Sequence, residues 1–311
     1  MKKITQLFIA LIISLFILTG CSTDKFDSKY EIKLYTRDTT SGTRDGFFTG
    51  IGLSEAKEDN SPLRIEGLGT VESNGDMINS IKNDKYGIGY ISMSSLNETE
   101  VKGLSFEGVS PTEENVLNGT YTLTRNFNYI IREDYEVKEK QQIIEAFLAY
   151  LQTQEGKSTM QSEGGILEVK SNDPTWDSIK SNYEIVFKDN SNITINFGGS
   201  TSVSKMATAL ANEFSDLCGN VKFSHNYHGS SDAYKKTQGK DKNSTGYFDM
   251  AFASRDFKLD SSEQAAEGTY GTLCIDAIVA IVNTENSITN ITKAQLKDIY
   301  TGFIKNWNEL N

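Results

Sequence analysis

The chain has 311 residues, 37% hydrophobic and 23% charged, enough for one large or two ordinary cores and too apolar for global disorder. Its formal charge of −11 argues against nucleic acid as a partner, because binding a phosphate backbone needs a basic face. The same charge leaves room for a small anion held by a few local N–H donors and one arginine.

Lys2 and Lys3 precede an almost wholly apolar run, Ile4 to Leu18, which ends in Leu18-Thr19-Gly20-Cys21 and the polar Ser22-Thr23-Asp24. A basic start, a short apolar run and small residues at its end predict a secretory signal over 1–20, too short for a stable span. The Leu-Thr-Gly-Cys ending resembles the bacterial lipobox, which implies that Cys21 carries lipid and leads the mature chain. An ordinary signal peptide or a signal anchor is the plainer alternative. Residues 21–29 then read as a tether. Cys218 and Cys274 remain, either as a disulfide of an oxidising compartment or as two buried free thiols.

Tyr30 to Thr36 alternates into a strand, Arg37 to Arg44 is a small polar loop, and Asp45 to Gly52 starts a helix. Asn74 to Asn83 carries Met77, Ile78 and Ile81 on one face of a short helix. Tyr86 to Met93 reads as a buried strand, and Tyr121 to Arg132 as a second extended run. Val137 to Gln154 is the clearest amphipathic helix, with Ile143, Ile144, Phe147, Leu148 and Leu151 at helical spacing and Gly156 as its stop. A second series follows. It comprises a strand over Asn192 to Phe197, a Gly/Ser/Thr loop, a helix over Val203 to Leu217 and a strand over Val221 to Tyr227. A helix then opens near Ala233, followed by a strand over Phe248 to Ala253. Cys274 to Val282 reads as a strand buried on both faces, and Thr292 to Tyr300 as a short helix. Strands alternating with helices predict α/β layers with mostly parallel sheets.

Four loops share one design, in which a strand ends, small hydroxyl or glycine residues follow, and often a helix starts: Arg37–Arg44, Gly198–Ser202, His228–Asp232 and Ser254–Asp256. Free N–H groups at a helix N-terminus favour negative charge, and glycine lets the backbone approach a ligand. Arg37 or Arg44 supplies a bidentate contact to an oxyanion. Any one such loop is ordinarily a cap or a turn. In open α/β sheets, however, ligands sit beyond the carboxyl ends of the strands, where all four cluster. The two histidines, His225 and His228, fall on opposite faces of one predicted strand with no cysteine beside them, so a zinc site is poorly supported. No nucleophile elbow, P-loop lysine or dinucleotide fingerprint stands in its required context, and neither a catalytic residue nor a cofactor is expected.

Arg37-Asp38-Thr39-Thr40-Ser41-Gly42-Thr43-Arg44 resembles the Arg-x-x-x-Ser-Gly-Thr signature of the phosphate-binding proteins of bacterial phosphate ABC importers, the PstS-like proteins. Gly199-Ser200-Thr201-Ser202 resembles that family's first anion loop, and Asp249 to Asp256 its third. Asp276 to Asn283 resembles its first interlobe crossing strand, and Ile291 to Leu310 the segment after it. Gly87-Ile88-Gly89-Tyr90 also has a counterpart. The order is reversed, since in the family the Gly-Ser-Thr-Ser loop precedes Ser-Gly-Thr-Arg. A circular permutation is the simplest account, and a fused or truncated chain the rival one.

The resemblance implies a two-lobed, type II periplasmic-binding-protein-like α/β fold, mostly parallel sheets with flanking helices, and a ligand cleft between lobes. One lobe is then discontinuous (30–130 plus 277–311) and the other continuous (131–276). It places Arg37, Ser41, Gly42 and Thr43 on the anion from one lobe, and Thr201, Ser202, Ser230 and Asp256 from the other. Arg44, Ser254 and Arg255 are further candidates. A carboxylate at Asp256 accepts a hydrogen bond from a protonated phosphate oxygen, a donor that sulfate lacks at neutral pH. The implied protein is a monomeric, lipid-anchored, extracellular solute-binding protein. It captures inorganic phosphate for a membrane permease and is not an enzyme. The alternatives are a secreted phosphatase or hydrolase on the same framework, and a sensor or adhesin with a degenerate site.

Overall fold

The computed structural model describes residues 25–310; the expected signal segment over 1–20 and Cys21 lie outside the described residues. The chain opens with strand β1 (Lys33–Arg37), helix α1 (Gly42–Gly50), β2 (Gly69–Val71), α2 (Asn74–Asn83) and β3 (Gly87–Ser92). It continues through β4 (Thr124–Ile131), α3 (Lys138–Tyr150) and α4 (Gln154–Ser162). The second series is β5 (Thr194–Gly199), α5 (Ser204–Leu217), β6 (Lys222–Tyr227), α6 (Ser231–Thr237), β7 (Met250–Ala253), β8 (Tyr270–Val282) and α7 (Lys293–Thr301).

One nine-stranded sheet runs through the molecule in the order β2-β1-β3-β8-β4-β7-β5-β6, with Lys102–Gly103 pairing on β8. The flanks are parallel, β1 with β2 and β3, and β5 with β6 and β7. The centre is antiparallel, because β4 and β8 run against each other and against their neighbours. The sheet is therefore mixed. The alternation of strands and helices foretold the parallel flanks, whereas β4 keeps the direction of the first flank but lies beside β7, and β8 keeps the direction of the second but lies beside β3. β8 is longer than its apolar core suggested. Tyr270 to Ala277 pairs with β4, and Ile278 to Val282 with β3, so this one strand joins the two parallel flanks.

Two large cores follow from this layout. Phe47, Tyr90, Tyr121, Ile278, Tyr300 and Trp307 belong to the first. Ile143, Phe147, Leu210, Phe214, Met250 and Phe252 belong to the second. β4 contributes Phe127 to the second core, while Leu123 just before it packs in the first.

Side-chain caps set the starts of α1 and α4. Ser41 accepts the Arg44 N–H at 3.4 Å and starts α1 at Gly42, three residues before the acidic Asp45 that the sequence suggested. Gly156 does not stop α3. The helix ends at Tyr150, Thr153 caps α4 by accepting the Gly156 N–H at 3.1 Å, and Gly156 lies inside α4. A Cβ there would stand 2.3 Å from the Tyr150 carbonyl, so the glycine permits a tight helix-to-helix turn. Cys218 and Cys274 are buried free thiols, the second of the two readings left by the sequence.

Candidate anion-binding site

β1 delivers Arg37 to the carboxyl edge of the sheet, where only 1% of the residue is exposed. Its guanidinium spans both halves of the molecule. Nη2 donates to Glu72 O at 2.6 Å and to Thr201 Oγ1 at 3.2 Å, and Nη1 donates to Asn74 Oδ1 at 3.2 Å and Thr43 Oγ1 at 3.5 Å. Nε is buried with no hydrogen-bond partner among the described residues. The Asp38 carboxylate stands 4.0 Å from Nη2. Burial pushes Arg37 below the usual arginine range; Tyr90 and Asp38 oppose the shift, and the nearby Arg125 adds to it.

Hydroxyl groups surround this cation. Thr43 Oγ1 and Ser202 Oγ are 2.9 Å apart, and Asn74 Nδ2 donates to Ser202 Oγ at 3.2 Å. Ser200 Oγ donates to Ser254 Oγ at 2.8 Å, and the Ser254 N–H donates to Ser230 Oγ at 2.9 Å. Gly42 seats α1 on this group, since a Cβ on it would meet Ser230 Oγ at 2.3 Å and Ser254 Oγ at 2.5 Å. The Ser231 N–H donates to Thr40 O at 3.3 Å, closing the same seam. A cleft of about 400 Å³ opens beside it, lined from the two sides by Ser73, Asn74, Ser95, Thr201, Ser202 and Tyr227.

Of the predicted residues, Arg37, Ser41, Gly42, Thr43, Thr201, Ser202, Ser230 and Ser254 come together. Three others are placed differently. Arg44 is fully buried and turns away, donating to the carbonyls of Arg37, Ala56 and Asp59, so it clamps the 51–61 segment beneath α1. Arg255 forms a bidentate pair with Glu263 at 2.7 and 2.6 Å. Asp256 is exposed at the edge, where Asn126 and Asn128 donate to its Oδ1 at 3.1 and 3.0 Å. By contrast, Asp38 Oδ2 is a buried acceptor with no hydrogen-bond partner among the described residues, set 4.0 Å from Arg37 Nη2.

Sequence reasoning missed Asn74 and Ser200. Asn74 opens α2 behind the Ser73 cap, the same strand-end, small-residue, helix-start design as the other loops, and that signal would have found it. It also missed the buried pair between the crossing strands, in which Arg125 Nε donates to Asp276 Oδ2 at 2.9 Å while Ser92 Oγ donates to Oδ1 at 2.7 Å.

Comparison with known proteins gives the class first: residues 183–311 match the PBP_like_2 family, a PBP superfamily domain. The crystal structure of a phosphate-binding protein of a phosphate ABC transporter from Streptococcus pneumoniae superposes with a TM-score of 0.65. That superposition covers 91% of this chain and all of that one at 23% identity, so it speaks to the fold. The particular likeness is to PstS. The chain is 26% identical to phosphate-binding protein PstS 2 of Streptococcus agalactiae, over 100% of its own length and 98% of the relative's. It is 24% identical to phosphate-binding protein PstS 2 of Streptococcus pneumoniae over 94% of each. The likeness to these relatives thus runs along nearly the whole chain, in the same segment order. No helix among the described residues is long and apolar enough to cross a membrane.

Proposed function

We propose that this protein is the substrate-binding component of a phosphate ABC importer. It captures inorganic phosphate between two lobes, 30–130 plus 277–311 and 131–276, and hands it to a membrane permease. The observation that carries the reading is Arg37. A buried guanidinium whose hydrogen-bond partners are neutral oxygens bears a large desolvation cost, and an anion in the hydroxyl cluster offsets it. Thr43 and Ser202, from opposite sides of the seam, supply neutral donors, and the first N–H groups of α1 add to them. Hinge closure about β4 and β8 brings the donors together.

The names of the full-length relatives support a binding protein rather than an enzyme. Lipid on Cys21 would hold it at the outer face of the cell membrane as a monomer. The reversed loop order reads as a circular permutation. In keeping with that, the phosphate-binding proteins PstS of Borreliella burgdorferi and Bacillus subtilis match only 41% and 45% of this chain.

Titration of the full-length protein with phosphate, sulfate and arsenate by calorimetry tests the reading. Tight, enthalpically resolved phosphate binding is expected. No heat with any tetrahedral anion would overturn it.

A further inference from the structure

We propose that Arg125 is a second cationic determinant of the cleft, a positioning residue in the crossing strand whose charge, set against Asp276, tunes how strongly an anion is held. The proposal deepens the phosphate-binding reading above and rests on it.

Three observations converge. First, α1 packs on the crossing strands by a glycine face at every fourth residue. A Cβ on Gly46 would meet the Ile278 side chain at 2.7 Å and the Arg125 side chain at 3.3 Å, and one on Gly50 would meet Leu123 at 2.2 Å. Gly42, at the head of the same face, lies on Ser230 and Ser254. The helix that presents Ser41, Gly42 and Thr43 therefore sits directly on Arg125. Second, the Arg125 side chain is 3% exposed and that of Asp276 is 0% exposed. Arg125 stacks over the Phe127 ring at 5.3 Å, yet its Nη1 is buried with no hydrogen-bond partner among the described residues. Third, the charge on Arg125 adds to the lowering of Arg37, and Asp45 on α1 is a further acid that favours the charged form of Arg125.

A buried pair of this kind contributes little net stability. Its placement does something else. Asp276 is held by Ser92 as well as by Arg125, so it cannot swing away. The pair thus fixes the floor under α1, while the balance between the two charges sets the potential in the cleft. Across roughly 10 Å at an effective dielectric near 20, one unit of charge changes affinity by about tenfold.

The test is phosphate titration of the full-length protein and four variants, with thermal melting alongside. Arg125→Met removes the cation and should weaken binding about tenfold. Asp276→Asn leaves the cation uncompensated and should tighten binding by a similar factor, although both variants melt lower. Arg125→Lys keeps the charge and should stay within about threefold of the parent. The double variant should lie between the single ones. Opposite signs are the signature, because a purely structural pair would weaken binding on either change. If both single variants weaken binding to the same extent, or neither changes it, the proposal falls. If the parent protein binds no phosphate, the phosphate reading falls and this one with it.

Discussion

Thr43 Oγ1 and Ser202 Oγ lie 2.9 Å apart although 159 residues separate them in the chain. One caps the seam from the first turn of α1, the other from the loop ahead of α5, and Asn74 steadies the serine. This contact exists only when the two halves meet. A double-mutant cycle of Thr43→Val and Ser202→Ala, read in phosphate affinity, should return a coupling of about 1 kcal/mol. Strictly additive losses would mean that the hydroxyls serve separate tasks.

Arg37→Lys should cost phosphate affinity about a hundredfold, with little change in melting temperature. A lysine ammonium keeps the charge but cannot reach Glu72, Asn74 and Thr201 at once as the planar fork does. Calorimetry settles the matter, and a loss below tenfold would remove Arg37 from the site.

The resemblance assigns the carboxylate that accepts a hydrogen bond from protonated phosphate to Asp256, whereas the geometry favours Asp38. Asp256 is exposed and its Oδ1 receives two amide N–H groups, while Asp38, whose Oδ1 accepts the Thr40 N–H at 2.8 Å, keeps a buried Oδ2 that makes no hydrogen bond among the described residues and stands 4.0 Å from Arg37 Nη2. Asp38→Asn is therefore expected to relax discrimination against sulfate, and Asp256→Asn to leave it nearly unchanged. Competition titrations distinguish the two, and the reverse pattern would restore Asp256 to that role.

The local chemistry of the site was readable in the sequence because loops are local. Ser-Gly-Thr-Arg and Gly-Ser-Thr-Ser each advertise a strand end, a close backbone approach and a helix start. What escaped depends on distant partners. Nothing near Arg44 in the sequence says that its donors will be taken by the carbonyls of Ala56 and Asp59, and nothing near Arg255 points to Glu263. The Arg125–Asp276 pair spans 151 positions and joins a segment that read only as an extended run to one that read as a strand buried on both faces. The misread Gly156 has a different cause, since a glycine after an amphipathic stretch signals a stop and only the Thr153 cap shows that a second helix begins.

Alkaline pH should destabilise the fold. Burial pushes the Cys218 thiol up to about 12. Burial, and then Asp84, raises the Tyr35 phenol to about 12. Both groups hold their protons in the folded state at pH values where the unfolded chain releases them, near ~8.5 for a thiol and ~10 for a phenol. Their contribution is complete below those values and is lost as pH rises toward 12. Melting temperature should fall steadily between about pH 9 and 11, and thiol reagents should leave Cys218 and Cys274 of the native protein unmodified at pH 8. A flat melting profile would contradict the burial of these groups.

Gly42→Ala is the sharpest probe of closure. The added methyl would stand 2.3 Å from Ser230 Oγ and 2.5 Å from Ser254 Oγ, and 3.0 Å from the Ser254 carbonyl carbon, so rotating the two hydroxyls away would not relieve it fully. Within α1 itself alanine is the better helix former, so the half carrying the helix should be as stable as before or slightly more so. The clash arises only across the seam. The variant should therefore melt near the parent in the absence of anion and lose phosphate affinity by at least about a hundredfold. It should also show a larger radius by small-angle scattering when phosphate is present. If it binds phosphate as the parent does, the approach of α1 to Ser230 and Ser254 is not needed for capture, and the closed seam is not the binding state.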